Sequence, residues 1–168
     1  MHKPLPFLLL LLAWIPCQAQ TPLQGLVAGQ SVREDVERIA GKPVQNFSPT
    51  LVEYHPAQFN PRTWSRVAKL YVQYRPDSPI VERLEILLTQ PMTHDEAITS
   101  LNHSAANARL WNLPDQPSSR GMNGPRLVEY FGAPYYLAIT YQGGDENSGV
   151  ARIGRYSPAL FTSAVKGP

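Results

Sequence analysis

An α+β protein is predicted, built as two tandem helix-plus-antiparallel-hairpin repeats with their helices packed on one face of an antiparallel sheet. Three observations carry that expectation. A hairpin pattern occurs twice, Leu70-Tyr71-Val72-Gln73-Tyr74 with Val81-Glu82-Arg83-Leu84, and Leu137-Ala138-Ile139-Thr140-Tyr141 with Val150-Ala151-Arg152-Ile153. Upstream of each lies one tetrapeptide, Leu51-Val52-Glu53-Tyr54 and Leu127-Val128-Glu129-Tyr130. A capped, apolar-striped helix precedes each. Alternating apolar residues around Pro- or Gly-rich turns are the hairpin signal. Helices followed by antiparallel strands place the helices on one side of a sheet.

In chain order, residues 1–19 read as a signal peptide. His2 and Lys3 form a polar start, Leu5 to Ile15 is an apolar run too short to span a bilayer, and Cys17-Gln18-Ala19 supplies small residues for cleavage. The alternative makes Cys17 a lipid-anchored N-terminus, for which Pro16 is a poor fit. Cleavage after Ala19 removes the only cysteine and Lys3, leaving a nearly neutral chain without disulfide or thiol nucleophile. The expected location is periplasmic or secreted. The charge balance offers no footprint for nucleic acid, and no transmembrane span is expected in the mature chain.

The first repeat is assigned to 20–90. Ser31 with Glu34 reads as a capping box, Val32, Val36 and Ile39 as an apolar stripe, and Gly41 with Pro43 as the stop. Residues 44–50 read as loop, Leu51 to Tyr54 as a strand, and Pro56 to Arg66 as a long connection with a tucked aromatic. The hairpin follows. The second repeat is assigned to 91–157. Thr93 with Glu96 forms its capping box, and Met92 and Ala97 occupy staple positions. Helical spacing is expected to run on from Asn102 towards Leu113, and Pro114 to Pro125 to form a polar loop. Residues 158–168 read as a tail that docks through Leu160 and Phe161.

Gly29, Ser31, Asp35 and Val36, followed by Gly41-x-Pro43 and an antiparallel hairpin, resemble the small lipoprotein family of outer-membrane β-barrel assembly. Two such units in tandem resemble the secreted β-lactamase inhibitor protein family. The resemblance implies helices on an antiparallel sheet, an exported location and a binding role. It names no target.

Catalytic chemistry finds no motif. His55, His94 and His103 lack metal-ligand spacing and read as surface histidines. No Gly-x-Ser-x-Gly turn or phosphate loop is present. Asp145-Glu146-Asn147 lacks the spacing of a calcium loop and reads as a hairpin tip. No cofactor or metal is expected.

Strand parity leaves Glu53, Tyr71, Arg83, Glu129, Tyr136, Arg152 and Tyr156 on an open face, with Trp111 beside it as contact residue or core plug. Tyr and Arg are enriched at binding hot spots, although Glu and Arg there also suit exposed cross-strand pairs. The expected function is an exported, non-enzymatic protein-binding module, either inhibitor, assembly or envelope accessory protein. Its partner is another envelope or secreted protein. The alternative is a small-ligand or lipid-binding envelope protein.

Overall fold

The computed structural model describes residues 25–55, 66–101, 109–115, 126–132 and 136–166. The signal-peptide reading, Cys17 and the aromatics of residues 56–65 lie outside them. Eight strands form one antiparallel sheet: β1 (Gln45–Asn46), β2 (Leu51–Tyr54), β3 (Val67–Tyr74), β4 (Val81–Met92), β5 (Arg109–Asp115), β6 (Arg126–Phe131), β7 (Leu137–Tyr141) and β8 (Val150–Tyr156). Their spatial order is β1-β2-β3-β4-β8-β7-β6-β5. Helix α1 (Arg33–Ala40) precedes β1, α2 (His94–Leu101) follows β4, and α3 (Pro158–Lys166) follows β8.

This corrects the expected pair of repeats. Strand β4 pairs with β3 along one side and with β8 along the other, so both hairpins share one ladder. One core cluster joins Val36, Val52, Leu70 and Leu84 to Phe131, Leu137, Ile139 and Ile153. The matching tetrapeptides occupy opposite parities. Tyr54 pairs with Leu70 and points into that core, whereas Tyr130 pairs with Ala138, whose side chain joins a separate cluster on the other face. A one-residue slip in strand parity turns every side chain over, so identical sequence here does not mean an equivalent place. Nor do the helices share a face. Val36 and Ala40 of α1 and Ala97 and Ile98 of α2 bury against the inner face. Phe161 of α3 packs with Val128, Ala138 and Tyr156 on the outer face. The stretch read as a tail is thus a helical cover. Of the helical run expected from Asn102 towards Leu113, residues 102–108 lie outside the described residues and 109–113 instead form part of β5, which pairs with β6; of the expected loop, Pro114 and Asp115 lie in that strand, and 116–125 lie outside the described residues.

The helix starts follow their side chains. In α1 the cap sits one residue later than expected: the Val32 N–H donates to Asp35 Oδ2 at 3.1 Å. Ser31 Oγ instead accepts from the Val27 N–H at 2.9 Å, and its carbonyl accepts from Val81 N–H. The left-handed Gly41 ends α1 at φ 76°. In α2 the expected box forms. Thr93 N–H donates to Glu96 Oε2 at 3.0 Å, and Glu96 N–H to Thr93 Oγ1 at 3.2 Å. The Thr93 N–H bond is the main cause holding the Glu96 carboxyl below its usual range, and the nearby Arg66 charge adds to it. Thr93→Ala is therefore expected to lower stability by about 0.5–2 kcal/mol, read from urea unfolding.

At the β7–β8 turn, Asp145 Oδ1 accepts from the Asn147 N–H at 2.8 Å, as a hairpin tip requires. Gly149 closes the turn at φ 77°, and a Cβ there would lie 2.9 Å from Pro91 Cβ, so position and conformation both call for glycine.

Candidate functional site

The outer face divides into two parts. Over β6, β7 and β8 it is covered. The Phe161 ring meets Tyr136, Tyr130 and Tyr156 edge-on, with centroids at 5.6, 5.9 and 6.1 Å. Edge-to-face pairs at such distances are favourable beyond the area they bury. Helix α3 starts where Ser157 Oγ accepts from Leu160 N–H at 3.2 Å and donates to Glu82 Oε2 at 2.9 Å. Arg75 holds the other oxygen of Glu82, donating from Nε at 2.9 Å and Nη2 at 2.7 Å.

Over β2, β3 and β4 the outer face carries a mixed array that is partly open. Cross-strand register aligns Glu53, Tyr71, Glu85 and Gly154 in one row, and Gln73, Arg83 and Tyr156 in the next. Lys69 Nζ lies 3.0 Å from Glu53 Oε1, and this hydrogen-bonded carboxylate raises the lysine pKa. Glu85 sits between two guanidiniums, with Arg152 Nη1 at 3.1 Å and Arg83 Nη1 at 3.6 Å. The arginine side chains keep 27% and 26% of their surface exposed, so both remain reachable. Tyr71 is half-buried beside Phe47, their centroids 6.0 Å apart. Phe47 itself is 47% exposed at the β1 edge.

Of the residues expected on an open face, Glu53, Tyr71, Arg83 and Arg152 gather there. Glu53 is buried under its lysine rather than open. Tyr156 is on that face but only 9% exposed. Its ring fills the dent left by Gly154, where a Cβ would lie 3.0 Å from Tyr156 Cε2. Burial, reinforced by the charge of Glu85, pushes its phenol up to about 12. Tyr136 is half-buried against Phe161, held at φ 43°. Trp111 lies on β5, paired with Tyr130 of β6, and its side chain lies outside the description.

Glu129 belongs to the inner face. It pairs with Ile139 and is 0% exposed. Its Oε2 accepts from the Tyr141 hydroxyl at 2.7 Å and lies 3.3 Å from His94 Nε2. His94 Nδ1 is 3.3 Å from Asp95 Oδ1. So His94 is not simply a surface residue. The phenol and imidazole tie a buried carboxylate on β6 to β7 and to the start of α2, a connection invisible in sequence spacing. Sequence parity could have supplied Lys69 and Glu85, which follow the same alternation as Tyr71 and Arg83.

Comparison with protein-family models, with curated proteins and with solved structures finds no significant match. The resemblances to the assembly lipoproteins and to the inhibitor family rest on the residues quoted for them. Among the described residues no helix is long and apolar enough to cross a membrane.

Proposed function

We propose that the chain is an exported, non-enzymatic protein-binding module, and that its contact surface is the part of the outer face left uncovered by α3. One observation carries this reading. The chain's own C-terminal helix covers the aromatics of β6–β8, yet Phe47, Tyr71, Gln73, Arg83 and Arg152 keep exposed surface on the same sheet. Aromatic rings and guanidiniums offer large contact area with little entropy lost per bond, which is why they anchor interfaces. The partner is another envelope or secreted protein, and the module acts as an inhibitor, an assembly factor or an accessory. Export is part of the reading: the intact mass of the purified chain should correspond to a start at Gln20, and an acylated Cys17 would replace that with membrane anchoring.

The test immobilises the wild type, Tyr71→Ala and Arg83→Ala, and exposes each to envelope extract. Tyr71→Ala should melt with the wild type, within about 0.5 kcal/mol. It should also weaken retention of the captured protein by more than about 1 kcal/mol. Equal capture by all three proteins would remove this surface from the function.

A further inference from the structure

On the uncovered part of the outer face the carboxylates lie low and the cations high. Glu53 and Glu85 keep 8% and 13% of their side-chain surface exposed, whereas Lys69, Arg83 and Arg152 keep 43%, 27% and 26%. Three cations stand over two carboxylates, so one positive charge is in surplus. Glu53 accepts a hydrogen bond from Lys69 Nζ at 3.1 Å, and Glu85 accepts one from Arg152 Nη1 at 3.1 Å. Arg83 has the longer approach. Its Nη1 lies 3.6 Å from Glu85 Oε2, beyond hydrogen-bond length.

The surroundings of Arg83 say what suits it. Register sets Gln73 of β3 directly opposite, half-buried, and such cross-strand neighbours have Cβ atoms about 5 Å apart. A carboxamide adds two N–H donors beside the guanidinium. Two residues along β3, on the same face, stands the Tyr71 ring with Phe47 packed against it. The result is a cationic spot with an apolar border. A second copy of this chain does not fit it, because the copy presents the same raised cations over recessed carboxylates. Nor does one surplus charge suit a lipid or nucleic-acid surface. Electrostatic attachment to membranes draws on clusters of about four to eight Lys and Arg, and nucleic acid on many phosphate contacts.

We propose that the protein partner brings an aspartate or glutamate side chain to Arg83 and Gln73, next to an aromatic or aliphatic residue that packs on Tyr71 and Phe47. The carboxylate accepts charge-assisted bonds from the guanidinium and a further bond from the carboxamide. It also cancels the surplus charge, while the apolar neighbour shields the bonds from water. The proposal rests on the uncovered face being the contact surface, and it adds the chemistry of what that surface contacts.

The probe is a random-peptide library displayed on phage and selected on the purified, immobilised protein. Selected peptides should carry Asp or Glu next to an aromatic or aliphatic residue. With a synthetic copy of a selected peptide, exchanging its acid for the amide, or Arg83→Gln in the protein, should each weaken binding about tenfold or more. The two changes together should cost no more than either alone, since they remove one contact. Arg83→Lys keeps the charge without the fork and should recover part of the loss. Added salt should weaken binding to the wild type more than to Arg83→Gln. Losses that add up, selected peptides without an acidic residue, or no selected peptide at all overturn the proposal. The amide peptide is tested on the wild type, so a variant that fails to fold does not shelter it. Tyr71→Ala separates this proposal from the contact surface itself. A selected peptide that needs Tyr71 but is indifferent to Arg83 and to its own carboxylate leaves the surface standing and rules out the acidic partner. A peptide indifferent to both residues removes both.

Discussion

Cutting Ile139 back to alanine should lower the free energy of unfolding by about 2–5 kcal/mol. Ile139 lies on the central part of β7, is fully buried, and pairs with Glu129 on one side and Ile153 on the other. Its removal leaves a cavity between the sheet and the inner-face helices, lined by side chains already fixed by strand pairing. Those strands cannot close the gap without breaking the ladder, so relaxation is limited. Urea unfolding of Ile139→Ala and Tyr71→Ala makes the decisive comparison, because they sit on opposite faces of one sheet. The midpoint should drop sharply for the first and hardly at all for the second, with m-values unchanged. If Tyr71→Ala unfolds as early as Ile139→Ala, the Tyr71 ring is part of the core, and the proposed contact surface loses its anchor.

The strands of the two hairpins were legible because their alternation is one-sided. Leu70, Val72 and Tyr74, and Leu137, Ile139 and Tyr141, give only one apolar parity worth burying, and the structure buries it. In β6 the pattern is ambiguous. Leu127, Glu129 and Phe131 compete with Val128 and Tyr130, and either set contains an aromatic and an aliphatic residue. Hydrophobicity alone favours the set without the carboxylate. The structure inverts that choice: the Tyr141 hydroxyl and His94 meet Glu129 Oε2 on the inner face, while α3 buries Val128 on the outer one. Both facts are tertiary, and no local pattern contains them. The helix over the outer face left a signal that was available. Ser157 followed by Pro158 is an N-cap residue before a proline at the first helical position. β5 was hidden for the opposite reason, since its alanine- and leucine-containing approach suits a helix in isolation and β6 supplies the pairing that overrides it.

Alkaline titration should expose the buried tyrosines as a loss of stability that Tyr156→Phe removes in part. In the unfolded chain a phenol titrates near 10. In the folded protein burial pushes Tyr156 up to about 12, with Glu85 adding to the effect and Arg83 opposing it. Between those values the native state keeps a proton that the unfolded state gives up. The stabilisation is therefore complete below the unfolded pKa and is lost as pH climbs through the folded one. A separation of about two pKa units corresponds to roughly 3 kcal/mol. Tyr54 and Tyr74, whose hydroxyls share a 2.8 Å hydrogen bond, are shifted in the same direction, burial again coming first. Arg155 acts against them. Its pKa is lowered to about 10, so above that pH the native state releases a proton the unfolded chain retains, and stability is regained. The wild-type profile alone mixes these opposing effects, and the Tyr156 share is read from a difference. Unfolding free energies of wild type and Tyr156→Phe, measured from about pH 9 to 12, should converge or cross as the wild type loses about 2–3 kcal/mol more than the variant. Parallel profiles would mean that the Tyr156 hydroxyl meets solvent in the native state. In that case the α3 cover over the outer face stands open, and the surface available to a partner extends across β8.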